Sequence, residues 1–209
     1  MQKIMRTSVL LAGTLSLGLA AHAQQPAATA PAAAQSRAMN IDLAVMYDAE
    51  YSRVAGVNGQ SFWLNGGSAD AAITLYKGLG VAINFGGEHA SNITPGVNFG
   101  KVAYMAGPRY TFNATRSMSR LTGKHSTQIF GEWLVGGVHG FDSVFPASGG
   151  VVSTANAFST QLGGGADVAI AQGFGMRVLE LDFVHTSLPN NAGNSQNDLR
   201  IGFGVTFRH

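Results

Sequence analysis

His89 and Ser91 stand two residues apart in the run Glu88-His89-Ala90-Ser91-Asn92. On an extended chain that spacing puts both side chains on one face. A histidine beside a hydroxyl is the pairing that nucleophilic acyl transfer uses, and an acid that orients the histidine completes it. The acid is missing. No Asp or Glu lies between Asn92 and Arg109, and Glu88 belongs to the opposite face. The same spacing recurs in His185-Thr186-Ser187, so the pattern arises without chemistry attached to it. The six histidines (His22, His89, His125, His139, His185, His209) form no H-E-x-x-H pair, and no Gly-rich phosphate cradle is present. No metal centre and no cofactor are therefore expected. With no cysteine, a thiolate site, a cysteine nucleophile and a disulfide framework are excluded.

The other residues that could do chemistry are charges set into apolar segments. Arg109 and Glu132 lie nearly symmetrically about residues 113–126, and Arg200 faces Asp182 across residues 188–196. Across the seam between the last and first segments, Arg200 also meets Asp48 and Glu50. Charges sealed away from water must be paired, so Arg109 and Arg200 are expected to be cationic hubs with a structural role. Alternation points Asp42, Asp48, Glu50, Asp70, Glu88, Glu132, Asp167, Glu180, Asp182 and Asp198 inward, against Arg109, Arg200 and Arg208. Asp70 and Glu88 even fall opposite each other across the 77–80 turn. Two carboxylates that close cannot both ionise cheaply unless a cation or water intervenes, or the register is offset by a residue or two. Acids lining connected water would make a weak cation channel.

Strands must position these residues. From Met39 onward the apolar period is two. Leu199, Ile201, Phe203, Val205 and Phe207 form one face of the last segment; Asp198, Arg200, Gly202, Gly204, Thr206 and Arg208 form the other. Ile41, Leu43, Val45, Tyr47, Ala49 and Tyr51 repeat the plan in the first. Further strands are expected near 62–76, 81–91, 101–112, 127–141, 156–170 and 176–187, eight strands in all. Tight turns (77–80, 171–175) alternate with longer connections (53–61, 92–100, 142–155, 188–196); 113–126 is a long link on the short side. Charged residues make up 11% of the chain and Gly 28 of 209, against about 25% and about 7% in an ordinary soluble domain. A soluble barrel would carry abundant Lys, Glu, Thr and Ser on its wet face. Here the polar face is mostly Gly, Ala and Ser, and the apolar face is bulky and aromatic. Eight strands leave an interior just wide enough for side chains, so the small face belongs inside and the large one in lipid. Tyr47, Tyr51, Trp63, Phe158 and Phe183 then mark one aromatic girdle, and Tyr110, Phe112, Phe203 and Phe207 the other.

The first 23 residues are not fold. Lys3 and Arg6 precede an apolar run from Ser8 to Ala20 and the Ala21-His22-Ala23 cleavage signature of a secretory leader. Residues 24–38 are Ala/Pro-rich and read as a flexible tether, leaving 39–209 as the barrel. The formal charge of +2 belongs to the leader's two cations, so nucleic acid is not an expected partner.

The glycine-broken segments Trp133-Leu134-Val135-Gly136-Gly137 and Gln161-Leu162-Gly163-Gly164-Gly165, with the closing strand Asn197 to Phe207, resemble the OmpA-like and OmpX-like small outer-membrane β-barrels over residues 39–209. The resemblance implies an all-β, eight-stranded antiparallel up-and-down transmembrane barrel in a Gram-negative outer membrane. It also implies contact with outer-membrane lipid and lipopolysaccharide, and an assembly signal read by the barrel-assembly machinery. Phe203, Phe207 and the terminal His209 stand where the family usually ends in an aromatic. Separately, Glu88 to Asn92 looks like the motif of the lipid A deacylase family, another eight-stranded barrel; the missing acid argues against that activity. The expected function is structural or interactive, without an open pore and without catalysis. The apolar loop from Phe141 to Pro146 offers Phe141 and Phe145 as contacts for an extracellular ligand or cell surface. An adhesin-like binding barrel is the alternative.

Overall fold

Segments with one bulky apolar face and one small or charged face can bury neither against water nor pair at a free edge in lipid. Closing the sheet resolves both constraints, because every strand gains two neighbours and no backbone group is left unpaired. The computed structural model describes residues 40–53, 61–190 and 193–209; the proposed leader and tether lie outside them. In chain order the elements are β1 (Asn40–Arg53), β2 (Ser61–Tyr76), β3 (Leu79–Thr94), β4 (Val97–Asn113), α1 (Thr115–Thr122), β5 (Thr127–Phe141), β6 (Phe145–Ala147), β7 (Gly150–Val152), β8 (Ala155–Ala171), β9 (Phe174–Thr186) and β10 (Gln196–Arg208). Eight of the strands form a closed antiparallel barrel in the order β1-β10-β9-β8-β5-β4-β3-β2, while β6 and β7 make a separate hairpin. The seam runs from Asp42 opposite Arg208 to Tyr51 opposite Leu199.

The barrel strands are 13 to 17 residues long, more than the roughly 9–11 that a tilted strand needs to cross a bilayer. Val45, Ile83, Phe85, Trp133, Leu162 and Phe203 stand exposed on the outside, while Ala44, Ala82, Ala103, Ser68 and Asn84 are buried within. Among the described residues no helix is long and apolar enough to cross a membrane. Tyr51 and Trp63 pack at 5.2 Å toward the loop end; Tyr110 with Phe112 (6.4 Å) and Phe174 with Phe207 (5.6 Å) pack toward the short-turn end. Phe203 departs from expectation. It lies opposite Tyr47, ring centroids 5.5 Å apart, and so belongs higher on the wall than the short-turn girdle.

Three connections also differ from the sequence reading. Residues 92–100 are not a long loop: β3 and β4 continue to Thr94 and Val97 and meet at Pro95-Gly96, with an irregular register after Ala90. The 113–126 link holds α1, whose TRSMSRLT sequence has no alternation to sustain a strand. Asn113 Oδ1 accepts from the Thr115 N–H (3.0 Å), and the Ala114 N–H donates to Thr127 O (2.8 Å), tying the helix to the rim. Residues 142–155 contain the β6–β7 hairpin. The turn between β2 and β3 needs glycine: Gly78 has φ +88°, and a Cβ there would stand 2.2 Å from Thr111 O.

Candidate functional site

Small residues at every second position clear an interior into which long charged side chains can reach from all sides. Arg109 on β4 is opposite Glu132 on β5, and its Nε donates to Glu132 Oε2 at 2.7 Å. Its two Nη atoms fork onto Asp70 at 2.8 and 2.7 Å. Arg200 on β10 is opposite Asp182 on β9; Nε and Nη2 donate to Asp182 Oδ2 at 3.1 and 2.9 Å. Gln161 joins the two hubs, donating to Glu132 Oε1 (3.1 Å) and accepting from Arg200 Nη2 (2.7 Å). Gly163 makes room for this layer, since a Cβ there would lie 1.8 Å from Asp182 Oδ1.

Two interior cations are absent from the sequence reading. Arg177 donates from Nε to Asp167 (2.8 Å) and from Nη1 to Glu180 (2.6 Å), and it reaches Asp70 at 3.4 Å. Asp70 therefore bridges Arg177 and Arg109, with the Phe130 ring centroid 4.2 and 4.3 Å from their guanidinium carbons. That aromatic face offsets the approach of two like charges. Lys101 on β4 is hydrogen-bonded to Glu50 and stands 3.8 Å from Asp198. At the short-turn end Arg208 pairs with Asp42 and lies 3.7 Å from Asp167. The result is a continuous ionic column from the Arg208 end to Asp182.

Two details of the expected pairing differ, and a third keeps its register but changes its bonded partner. Asp70 is opposite Asn84 and Glu88 opposite Gly66, so these two acids do not face each other. Glu50 is opposite Arg200 across the seam but is held by Lys101 instead. Asp48 is opposite Gly202, and neither of its buried oxygens has a hydrogen-bond partner. All ten acids expected inside are buried, and the described cations among them are Lys101, Arg109, Arg177, Arg200 and the half-buried Arg208. Glu132, Glu180 and Asp182 bring oxygens within 4.8 Å of one another, a geometry that could hold a metal ion. Arg109, Arg177 and Arg200 already neutralise one oxygen of each.

At the loop end an apolar layer caps the column. Phe145 is 4% exposed and belongs to one apolar cluster with Leu188, Leu134 and Val138. Gly140 provides the space, because a Cβ there would stand 2.6 Å from the Phe145 ring. Phe145 is therefore not the exposed contact the loop composition suggests. The hairpin exposes Val144, Val151 and Val152 instead, and Phe141 is half-buried against Gly100. Beside this layer lies a cavity of about 360 Å³ with Phe62, Phe99, Phe145 and Leu188 in its wall and Lys101 and Asp198 at its base. Phe62, Phe99 and Phe145 stack edge-on at 6.1 and 6.2 Å.

His89 and Ser91 are both exposed on the outer wall. The cross-strand neighbours of His89 are Asn65 and Gly100, and no hydrogen bond joins it to Ser91 among the described residues. Phe203 and Phe207 face outward, while His209 exchanges main-chain hydrogen bonds with Ile41 at 3.0 and 3.1 Å.

A closed eight-stranded antiparallel wall, bulky outside and ionic within, is the fold of the small outer-membrane β-barrels. Among solved structures, the chain is similar to Ail, the attachment invasion locus protein of Yersinia pestis, in complex with the heparin analogue sucrose octasulfate. That match has a TM-score of 0.51 at 13% identity and covers 82% of this chain and 99% of that one. It is similar to Neisserial surface protein A as well, with a TM-score of 0.51 at 12% identity over 80% of this chain and 97% of that one. No protein-family model and no curated protein sequence matches the chain.

Proposed function

We propose that the protein is a non-conducting outer-membrane barrel that stabilises the membrane and presents its loop-end mouth to an extracellular ligand or surface. The observation that carries this reading is the packed interior: Arg177, Arg200, Leu64, Leu134, Gln161 and Glu50, drawn from six strands, are almost fully buried. A water-filled pore would wet such side chains. On this reading residues 1–23 are a cleaved leader, residues 24–38 a tether, and the closing strand carries the signal for the barrel-assembly machinery in Phe203, Phe207 and His209.

An adhesin-like role is the second reading, favoured by the exposed valines of the β6–β7 hairpin. It is tested by binding of protein-bearing liposomes to cultured cells. Binding by the wild type that falls at least about tenfold in Val144→Asp/Val151→Asp supports the hairpin as the contact; equal binding by both removes it. Catalysis is not proposed. The His89–Ser91 pair has no acid as a cross-strand neighbour of its histidine, and incubation with lipid A should release no acyl chain, in the wild type or in His89→Ala.

A further inference from the structure

Charge is distributed unevenly between the two ends of the barrel. At the short-turn end Lys77, Arg116, Arg120 and Lys124 are all exposed. The acids there, Asp42 and Asp167, are buried and already held by Arg208 and Arg177. At the loop end the exposed charged residues among those described are Arg53 and Asp142, which cancel.

The cationic end is also built rigidly. Helix α1 turns Thr115, Met118 and Thr122 toward the barrel, and Thr115 and Thr122 hydrogen-bond to Thr127. His125 Nδ1 lies 3.0 Å from Ala169 O, and the Ala169 N–H donates to Ser126 O at 2.8 Å. The β2–β3 turn that carries Lys77 is joined to the end of β4 by the Thr111 N–H to Gly78 O bond at 2.8 Å. Arg116 and Arg120, one helical turn apart, therefore present charge from a fixed frame on the face away from Thr127.

Depth is set by the neighbouring residues. Tyr110 and Phe112 face outward in the girdle, and α1 begins three residues beyond Phe112, so the helix starts at the edge of the apolar belt. Leu121, beside Arg120, is 81% exposed. An apolar side chain among cations at that level is the signature of an interfacial helix. In barrels of this kind the short turns lie on the periplasmic side.

We propose that Lys77, Arg116, Arg120 and Lys124 form a collar that binds the headgroups of anionic phospholipids in the periplasmic leaflet. The inference rests on the membrane-barrel reading but not on any role of the loop end. The cations sit where lipid phosphates lie, no exposed acid competes, and each contributes in the additive way that basic residues do near an anionic surface.

The test uses the purified full-length protein, incubated with an equimolar mixture of phosphatidylglycerol and phosphatidylcholine of identical acyl chains and read by native mass spectrometry. Phosphatidylglycerol should be retained at least about tenfold over phosphatidylcholine. The preference should vanish in Arg116→Gln/Arg120→Gln/Lys124→Gln and survive in Arg53→Gln at the other end. Every variant is checked for the heat-modifiable gel shift of a folded barrel. Equal retention of both lipids by the wild type, or an unchanged preference in the triple variant, overturns the proposal. So does displacement by excess glycerol 1-phosphate, which would mark a free-phosphate site.

Discussion

A guanidinium inside this barrel is worth what its partners would lose without it. Removing one member of a buried, fully hydrogen-bonded ion pair typically costs about 3–5 kcal/mol, because the other charge is left desolvated. Arg200→Ala would strand Asp182, and Arg109→Ala would leave Glu132 without its cation and Asp70 with only the longer contact to Arg177. Both variants should lose about that much stability in urea titrations followed by the lipid-facing Trp63 and Trp133. Unchanged midpoints would contradict the hub assignment. A second contrast separates pairing from mere burial. Glu132 accepts from Arg109 and Gln161, whereas Asp48 accepts no hydrogen bond, so Glu132→Gln should destabilise and Asp48→Asn should hold stability or raise it. The Arg109–Glu132 and Arg200–Asp182 juxtapositions were legible because both are near-symmetric about their connections, so alternation fixes face and height together. Lys101 went unread, although it stands eight residues before Arg109 on β4 and so shares its phase.

Arg177 was harder to read for a reason that belongs to the strand. Gly202 and Gly204 on β10 face Glu180 and Arg177 on β9, so β9 carries one extra residue there. Val178 and Leu179 consequently both face lipid, and the parity of β9 reverses between Glu180 and Arg177. A strict period of two from Asp182 would put Arg177 outside. The available signal was the pair Val178-Leu179, two adjacent apolar residues flanked by charges. Deleting Val178 should remove the bulge and leave Arg177 inward, because Leu179 alone then separates it from Glu180 and the period of two is restored. Retention of the heat-modifiable band in that variant is the expected result; its loss would contradict the bulge. Glycine substitution tests the wall in the same way. A Cβ at Gly163 would collide with Asp182, whereas one at Gly131 meets nothing closer than Gly163 O at 3.8 Å. Gly163→Ala should therefore lower stability by more than about 2 kcal/mol, with Gly131→Ala within about 0.5 kcal/mol of wild type. The α1 helix and the β6–β7 hairpin were not legible, because alternation lapses there and short irregular connections carry no period to read.

At the scale of the molecule, low charge and abundant glycine state the same fact twice: lipid outside, and small residues inside that leave space for a few long ones. Eight strands enclose a lumen that side chains can fill completely, and here an ionic column fills it from the short-turn end to an apolar cap of Phe145 and Leu188. The acidic surplus was visible in the sequence and left a weak cation channel as an alternative to the closed interior expected there. Lys101 and Arg177 reduce that surplus, and the buried pairs take the place of solvent. A scaffold that seals its own bore is the central claim, and single-channel recording of the full-length protein in a planar bilayer tests it most directly. A silent record at high protein-to-lipid ratio, with folded protein verified in the same membrane, is the predicted result; stable unitary current steps, above all cation-selective ones, would contradict it.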